Sequence, residues 1–413
     1  MRILLFFLSS IVFLFGVDAT LQIEKDVEDR THIAVVDSSS IHNAKIYDIL
    51  KSDLKISGHF LVYADMFQES FDTPVISPKL KNQEYVLKYK YEQDSGAKLV
   101  IRLLKASNSQ EVFKKSYAIG SRAKAPFLIH KAVYDINGFL RYPDIGWINR
   151  YVIFSRYTTP RHSEIVVADY TFNYKKVVIR GGLNLFPKWA DRNQRSFYYT
   201  SFNGLYPTLY KLNIYTGAKS KIVSSEGMLV CSDVSSHSSK ILVTMAQDSQ
   251  PDIYELDTIS KAKKRITRFN GIDVNGKYVD DEQSIVFVSN RLGYANIFKK
   301  SINGNGVRQV VYHGKNNNSV DSYKNEIVYS SRESSNAFGR NNFNIYLSDS
   351  DGIRTRAITT TGSNQFPRFN SDGSVVQYIK HQNNQSYIGY SNIKSHKSLL
   401  FDLGVKKIQA IDW

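Results

Sequence analysis

Motifs for nucleophilic catalysis are few in this sequence of 413 residues, and they lack their usual companions. In penicillin-binding enzymes, Ser-x-x-Lys supplies the attacking serine and is accompanied by Lys-Thr-Gly. Here the pattern begins at Ser52, Ser121, Ser260 and Ser391, and the sequence contains no Lys-Thr-Gly. Gly-x-Ser-x-Gly, which a hydrolase domain would need, does not occur either. Scattered matches of this kind arise by chance, so we predict no catalytic residues and no enzymatic activity.

Metal-binding patterns are equally weak. The nine histidines are dispersed, and His-Glu-x-x-His is absent from the sequence. Asp349-x-Asp351-Gly352 resembles the start of a calcium loop but lacks the downstream glutamate, so we predict a turn there. Cys231 is the only cysteine, which excludes an internal disulfide and any cysteine cluster. We therefore expect no metal and no cofactor.

The first residues have the pattern of an export signal. Arg2 is followed by an apolar run from Ile3 to Phe15, and small residues lead to a cleavage point after Ala19. The run is shorter than the roughly 20 residues that span a bilayer, although a permanent N-terminal anchor stays an alternative. We expect a signal peptide over 1–19 and an exported protein over 20–413. An exported chain without disulfides suits the bacterial periplasm.

The charge is strongly basic. Lys and Arg exceed Asp and Glu by 54 to 38, which gives a formal net charge of +16. Such a field favours anionic partners without identifying them. Export and the even spread of basic residues argue against nucleic acid, so we predict a solvated surface that aids encounter with acidic envelope proteins.

Residues 20–140 have the pattern of a small α/β domain. His32–Val36 is typical of a buried strand, and extended runs follow at Tyr85–Tyr91, Leu99–Leu104 and Glu111–Ala118. One helix is indicated by an apolar stripe that ends before Gly58, namely Ile46, Ile49, Leu50 and Leu54. A second helix begins near Pro126 and is expected to end before Gly138, with a stripe of Ile129, Ala132, Val133 and Ile136.

Residues 141–413 repeat with a period of 44. Apolar runs begin at Ile153, Phe197, Ile241 and Ile285, and a second set begins 12 residues after each of them. Turn residues such as Asn203-Gly204 separate the runs. Six units of three or four short strands predict a six-bladed β-propeller, because the runner-up, a β-sandwich, would not keep a fixed step. The opening motif is poor before unit one, so we expect the C-terminal residues 408–413 to supply it and close the ring.

The order of these parts resembles the TolB family of Tol–Pal envelope systems. The resemblance rests on Asn43–Phe60, on the helix over Ile129–Gly138, and on blade segments such as Ser289–Phe298 and Gln365–Gly373. It covers nearly the whole exported chain. It implies an α/β N-terminal domain followed by an all-β six-bladed β-propeller, and a monomeric binding hub that is not an enzyme.

The resemblance also implies partners and contact residues. In the family, the propeller mouth holds the lipoprotein Pal, through which the protein associates peripherally with the outer membrane. The N-terminal segment communicates with TolA of the inner membrane. The matching N-terminal positions are Leu21, Gln22, Ile23, Glu24, Lys25 and Val27. The matching mouth positions are Leu183, Asn184, Phe186, Gly227, Gly271, His313, Asn364 and Phe366.

Physical alternatives stay open for these residues. Phe186, Trp189, Phe366 and Phe369 could anchor a partner, but large aromatic residues more often pack between blades. The N-terminal segment could add to a sheet edge as a strand, or it could be a frayed terminus. An exported propeller that binds peptidoglycan or another carbohydrate directly is the competing function.

Overall fold

A mixed sheet with two helices on one face forms the N-terminal domain. The computed structural model describes residues 30–247, 249–333, 342–382, 385–402 and 408–413. The strands are β1 (Thr31–Asp37), β2 (Phe60–Val62), β3 (Phe67–Gln68), β4 (Tyr85–Glu92), β5 (Ala97–Lys105) and β6 (Glu111–Ile119). Their order in the sheet is β2-β1-β4-β5-β6, with β3 also paired to β1. The helices are α1 (Ala44–Ser57) and α2 (Ala125–Phe139).

Local signals in the sequence account for most of these boundaries. The side chain of Asn43 accepts a hydrogen bond from the backbone N–H of Ile46 and so caps α1. Gly58 ends α1 in the left-handed conformation, at a φ of 82°. The prediction for Gly138 was wrong, because α2 continues through it to Phe139. The short strands β2 and β3 carry too few residues to show a periodic pattern, and the sequence analysis missed them.

Six four-stranded sheets follow, and they confirm the six-bladed propeller. Blade 1 holds β7 (Val152–Thr159), β8 (His162–Ala168) and β9 (Lys175–Ile179). Blade 2 holds β10 (Asn184–Trp189), β11 (Ser196–Ser201), β12 (Thr208–Asn213) and β13 (Lys219–Ser224). Blade 3 holds β14 (Leu229–Val234), β15 (Lys240–Gln247), β16 (Gln250–Asp257) and β17 (Lys263–Arg265).

The second half of the ring repeats this order. Blade 4 holds β18 (Asp273–Val279), β19 (Ser284–Ser289), β20 (Asn296–Ser301) and β21 (Val307–Gln309). Blade 5 holds β22 (Lys315–Tyr323), β23 (Glu326–Arg332), β24 (Phe343–Asp349) and β25 (Arg356–Ala357). Blade 6 holds β26 (Ser363–Phe369), β27 (Val375–Gln382), β28 (Gln385–Asn392) and β29 (Ser398–Asp402).

The C-terminal strand closes the ring, as the sequence predicts. Strand β30 (Ile408–Asp412) pairs with β7 and is the innermost strand of blade 1. Trp413 follows it, and its indole Nε1–H donates to the carbonyl of Phe369 in blade 6 at 2.8 Å. First and last blades are therefore joined by strand pairing and by a buried side chain. No helix among the described residues is long and apolar enough to cross a membrane.

The propeller has two faces with different loops. All six innermost strands begin at one face, which we call the mouth face, and end at the other, which we call the far face. Because neighbouring strands are antiparallel, each loop from a second to a third strand lies at the mouth face. The loops that lead from one blade into the next lie there too. The hairpins between third and fourth strands lie at the far face.

A ring of alternating charge surrounds the central channel near the far face. Its members, one from each innermost strand, are Lys188, Asp233, Lys277, Asp321, Arg368 and Asp412. Each acidic member accepts a hydrogen bond from a backbone N–H of the next blade, at 2.8 to 2.9 Å. Ion pairs at 2.8 and 2.6 Å join Lys188 to Asp412 and Lys277 to Asp321. The three carboxylates therefore hold neighbouring blades together while balancing three cations.

The N-terminal domain packs on the far face of blades 1 and 6. Buried His130 of α2 lies between two carboxylates, with Nδ1 at 2.8 Å from Asp53 of α1 and Nε2 at 3.3 Å from Asp169 after β8. The hydroxyl of Tyr170 also donates to Asp53. In blade 6, the amide of Asn392 donates to carbonyls at the end of α1. The domain contact thus contains an ionic cluster whose three members are completely buried.

Candidate partner-binding face

Exposed apolar side chains gather on the mouth face. Sixteen large apolar side chains are exposed among the described residues, and eight lie on this face. They are Tyr157, Leu205, Tyr206, Met228, Ile272, Leu292, Tyr294 and Tyr312. Leu205 is 88% and Tyr312 is 77% exposed, so their neighbours in the fold cover little of either side chain. Apolar residues collected on one face are typical of a protein-binding surface.

Basic side chains surround this apolar set. Arg161, Arg268 and Lys315 are exposed at the mouth face, and none of them forms an ion pair with a described residue. Arg180, also exposed, reaches only 4.0 Å from the carboxylate of Glu164. These four basic residues outnumber Glu226 and Glu333, the exposed acidic residues in the described loops of this face, so an excess of positive charge surrounds the apolar surface and suits a partner with acidic groups.

Two of the predicted mouth residues are buried and shape the loops. Asn184 is 3% exposed, and its amide donates to the carbonyl of Gly181 at 2.8 Å. Asn364 is fully buried, and its amide donates to the carbonyl of Thr361 at 2.9 Å and to Asn344 at 3.3 Å. Their side chains brace the chain as it enters blades 2 and 6. A substitution at either residue would change the loop before it changed a contact with a partner.

Two predicted aromatic residues occupy a bulge in the innermost strand. Phe186 and Phe366 have φ of 56° and 55°, and each precedes a proline. The register of β10 and β26 shifts at these positions. A left-handed backbone conformation costs a bulky residue roughly 1–2 kcal/mol. The surrounding fold must therefore stabilise this conformation at both phenylalanines. Both side chains are half-buried: Phe186 lies beside Phe202 of a mouth-face loop, and Phe366 packs against the apolar core that blades 1 and 6 share with the N-terminal domain.

The remaining predicted residues lie in loops between blades. Half-buried Leu183 donates its backbone N–H to Asn203 at 2.6 Å. A side chain at Gly227 would approach Ala246 to 2.8 Å, and one at Gly271 would approach a phenylalanine ring to 2.4 Å. The ring of half-buried His313 is tilted against that of Tyr346, with 4.5 Å between the ring centroids, and burial lowers the pKa of His313, which favours a neutral ring. The two glycines thus permit close packing beside the mouth.

The sequence matches one protein family along most of its length. The family described as TolB beta propeller domain matches residues 148–403. The Tol-Pal system protein TolB of Wolinella succinogenes is 43% identical over 424 residues, which cover all of both chains. This chain belongs to the TolB family. The TolB of Helicobacter hepaticus is 40% identical, and the match covers 97% of each chain.

A solved TolB structure has the same fold. The crystal structure of TolB from Acinetobacter baumannii superposes with a TM-score of 0.73 and covers 92% of this chain and 96% of that one. Its sequence identity is 20%, so it supports the fold alone. The six-bladed propeller behind an N-terminal domain is therefore common to this chain and a crystallographic member of the TolB family.

The sequence analysis predicted mouth contacts only in the loops that lead from one blade into the next. It missed the loops between second and third strands, which contain Leu205, Tyr206 and Leu292. The available signal was an apolar residue beside a turn sequence such as Asn203-Gly204, where polar residues are usual. The predicted N-terminal contact residues 21–25 and 27 and the predicted signal peptide lie outside the described residues.

Two further aromatic residues lie at the other end of the channel. Trp189 and Phe369 are each 6% exposed and line a funnel of about 830 Å³ at the far face. They pack between blades, which is the alternative that the sequence analysis favoured for large aromatic residues. Among the described residues, no group of three His, Cys, Asp or Glu side chains is placed to hold a metal ion. Asp349 forms a turn, accepting from the backbone N–H groups of Asp351 and Ile353.

Proposed function

We propose that this TolB-family protein is a non-enzymatic binding hub of the periplasm. It holds the lipoprotein Pal at the outer membrane, connects it to the inner-membrane Tol complex, and so maintains the envelope during cell division. Curated relatives named Tol-Pal system protein TolB support this assignment. The expected signal peptide over 1–19 supports export.

The observation that carries the proposal is the apolar and basic mouth face. Rigid blades hold the loops in place, so little conformational entropy is lost when a partner docks. Ile272 and Tyr312 supply apolar surface, and Arg268 and Lys315 supply charge at its edge. An apolar centre with a charged rim is the usual composition of a binding hot spot. Pal would contact these residues together with Leu183, Phe186, His313 and Phe366.

Isothermal titration with purified Pal tests the mouth face. Replacing Leu205, Ile272 and Tyr312 together by serine should weaken binding at least about tenfold, because hot-spot truncations commonly cost more than 1 kcal/mol each. Replacing Tyr215 and Ile259, two exposed residues of the far face, by serine is the matched control and should leave the affinity unchanged. Equal loss in both variants would contradict the assignment.

The same variants distinguish direct carbohydrate binding from binding of Pal. Protein-free peptidoglycan should not bind the wild-type protein with an affinity comparable to that for Pal. Binding of peptidoglycan that depends on the mouth residues would favour the competing function.

The N-terminal segment is proposed to contact TolA. The residues concerned are Leu21, Gln22, Ile23, Glu24, Lys25 and Val27. A chain that begins at Arg30 should keep its melting temperature and its affinity for Pal but lose binding to purified TolA. A large drop in melting temperature would instead make the segment a structural part of the domain.

A further inference from the structure

Two hairpins on the far face of blades 2 and 3 present the same unusual tip. In each, an Asn or Asp side chain accepts from the backbone N–H groups of the residues two and three positions later, at 2.8 to 3.0 Å. Tyr215 and Ile259 lie two residues after Asn213 and Asp257, and they are 44 positions apart. They are 65% and 80% exposed. The turn therefore places a largely exposed apolar side chain at equivalent positions of neighbouring blades, and the hydroxyl of Tyr215 also reaches Tyr151 of blade 1.

Lysines follow both tips. Five exposed lysines lie within six residues of a tip and pair with no carboxylate of the described chain: Lys219, Lys221, Lys261, Lys263 and Lys264. Lys219 lies 3.9 Å over the ring of Tyr210, and Lys264 bonds the amide of Asn303. Lys221 and Lys263 make no contact of this kind with any described residue. We call the two tips with these five lysines the basic rim.

Edge protection explains some of these lysines but not the apolar tips. Strands β13 and β17 are the outer edges of their blades, and lysine on an edge strand discourages pairing with another chain. Tyr215 and Ile259 do the opposite, since they expose apolar surface beside that edge. Polar residues would satisfy such turns equally well. The turns themselves therefore do not require apolar side chains, and the N-terminal domain, which covers blades 1 and 6, leaves Tyr215 and Ile259 exposed.

We propose that the basic rim docks on an anionic lipid surface. Tyr215 and Ile259 would insert at the boundary between headgroups and acyl chains, where an aromatic ring with a hydroxyl is favoured. The five ammonium groups would lie at headgroup level and be attracted to anionic phosphates. Two short tips and a few lysines give weak, reversible binding. The contact would orient the far face toward the membrane and the mouth face away from it.

Charge and shape favour lipid over an acidic protein. A protein partner needs a complementary pocket or groove that both apolar tips line. The cavity beside the first tip is lined by Asn193, Arg195, Asn213, Tyr215 and Thr216, and Ile259 is not part of its lining. A bilayer accepts projecting apolar side chains at any lateral position. The exposed lysines carry long apolar stems that suit the same boundary.

Vesicle co-sedimentation tests the proposal. The chain without residues 1–19 should sediment with vesicles of phosphatidylglycerol and phosphatidylcholine, and much less with phosphatidylcholine alone. Tyr215→Ser with Ile259→Ser should weaken vesicle binding about tenfold or more. Lys221→Gln and Lys263→Gln should each weaken it about fivefold, and added salt should weaken it in the wild type.

Matched controls separate the basic rim from the rest of the surface. Leu205→Ser removes an equally exposed apolar residue from the mouth face, and Lys79→Gln with Lys81→Gln removes two exposed charges from the N-terminal domain. These variants should bind vesicles like the wild type. Unchanged sedimentation of the rim variants, or equal loss in the controls, would overturn the proposal. Capture of soluble polyglutamate by the rim without vesicle binding would overturn it in favour of an acidic protein.

Discussion

The enclosed charge cluster at the domain contact makes a prediction about alkaline pH. Burial alone would lower the pKa of His130, but the charge of Asp53 and the hydrogen bonds that the ring donates to both carboxylates raise it to about 9. The histidine and its two partners are all completely buried. At neutral pH we therefore expect an imidazolium cation between Asp53 and Asp169, with the hydroxyl of Tyr170 also facing the cluster.

The pKa shift of His130 sets the size of its contribution to folding stability. The pKa rises by 9 − 6.5, about 2.5 units, and each unit corresponds to 1.36 kcal/mol, so the proton contributes about 3 kcal/mol to stability. Between pH 6.5 and 9 the folded protein keeps a proton that the unfolded chain releases. Stability from this group is complete below pH 6.5 and falls as the pH rises through 9.

Urea denaturation across this range measures the effect. His130→Gln removes the cation that faces Asp53 and Asp169, so at pH 6 it should lower the free energy of unfolding by about 3–5 kcal/mol, even though burial already raises the pKa of Asp53. The difference from wild type should shrink steadily toward pH 9. His237→Gln, at an exposed position of the far face, is the control and should change little. A constant difference between pH 6 and 9 would refute the reasoning.

Three further predictions concern the propeller. Asp412→Asn leaves the ammonium of Lys188, 2.8 Å away, without its carboxylate, and should lower the free energy of unfolding by about 3 kcal/mol in a denaturant titration. Gly373→Ala should lower the melting temperature further than Gly217→Ala. Both glycines have a positive φ, +77° and +72°, but a Cβ at position 373 would lie 2.2 Å from the ring of Tyr323, whereas the space at position 217 is open. Burial raises the pKa of Asp321, but the cations of the ring outweigh it and lower the pKa to about 2, so acid titration should show stability lost between about pH 4 and pH 2.

Periodicity explains why the propeller was predictable. A blade buries its apolar faces only against neighbouring blades, so each blade needs similar apolar runs. These runs recur about every 44 residues in the sequence, and this repeat predicts six sheets. The same reasoning predicted that residues 408–413 complete blade 1. It did not predict the ring of alternating charge, because Lys188 and Asp412 meet only when strands 224 residues apart in sequence are adjacent.

The candidate site was predictable only in part. Blade-opening segments identify Phe186 and Phe366 as candidates, and their role at the mouth stays a prediction. The sequence does not show that the amide of Asn184 is already hydrogen-bonded within its own loop. Leu205 was missed because exposure of an apolar residue depends on what the tertiary fold leaves uncovered. His130 was read as one of a set of dispersed histidines, since its partners lie 77 and 39 residues away.

Hydrogen exchange measured with and without Pal locates the partner-binding surface of the protein. We expect slower exchange on Pal binding in the mouth-face loops, at residues 202–207, 270–272 and 310–314. We expect unchanged exchange in the far-face hairpins at 213–219 and 257–263. Protection of the far-face hairpins, with the mouth loops unaffected, would contradict the assignment of the mouth face as the partner-binding surface.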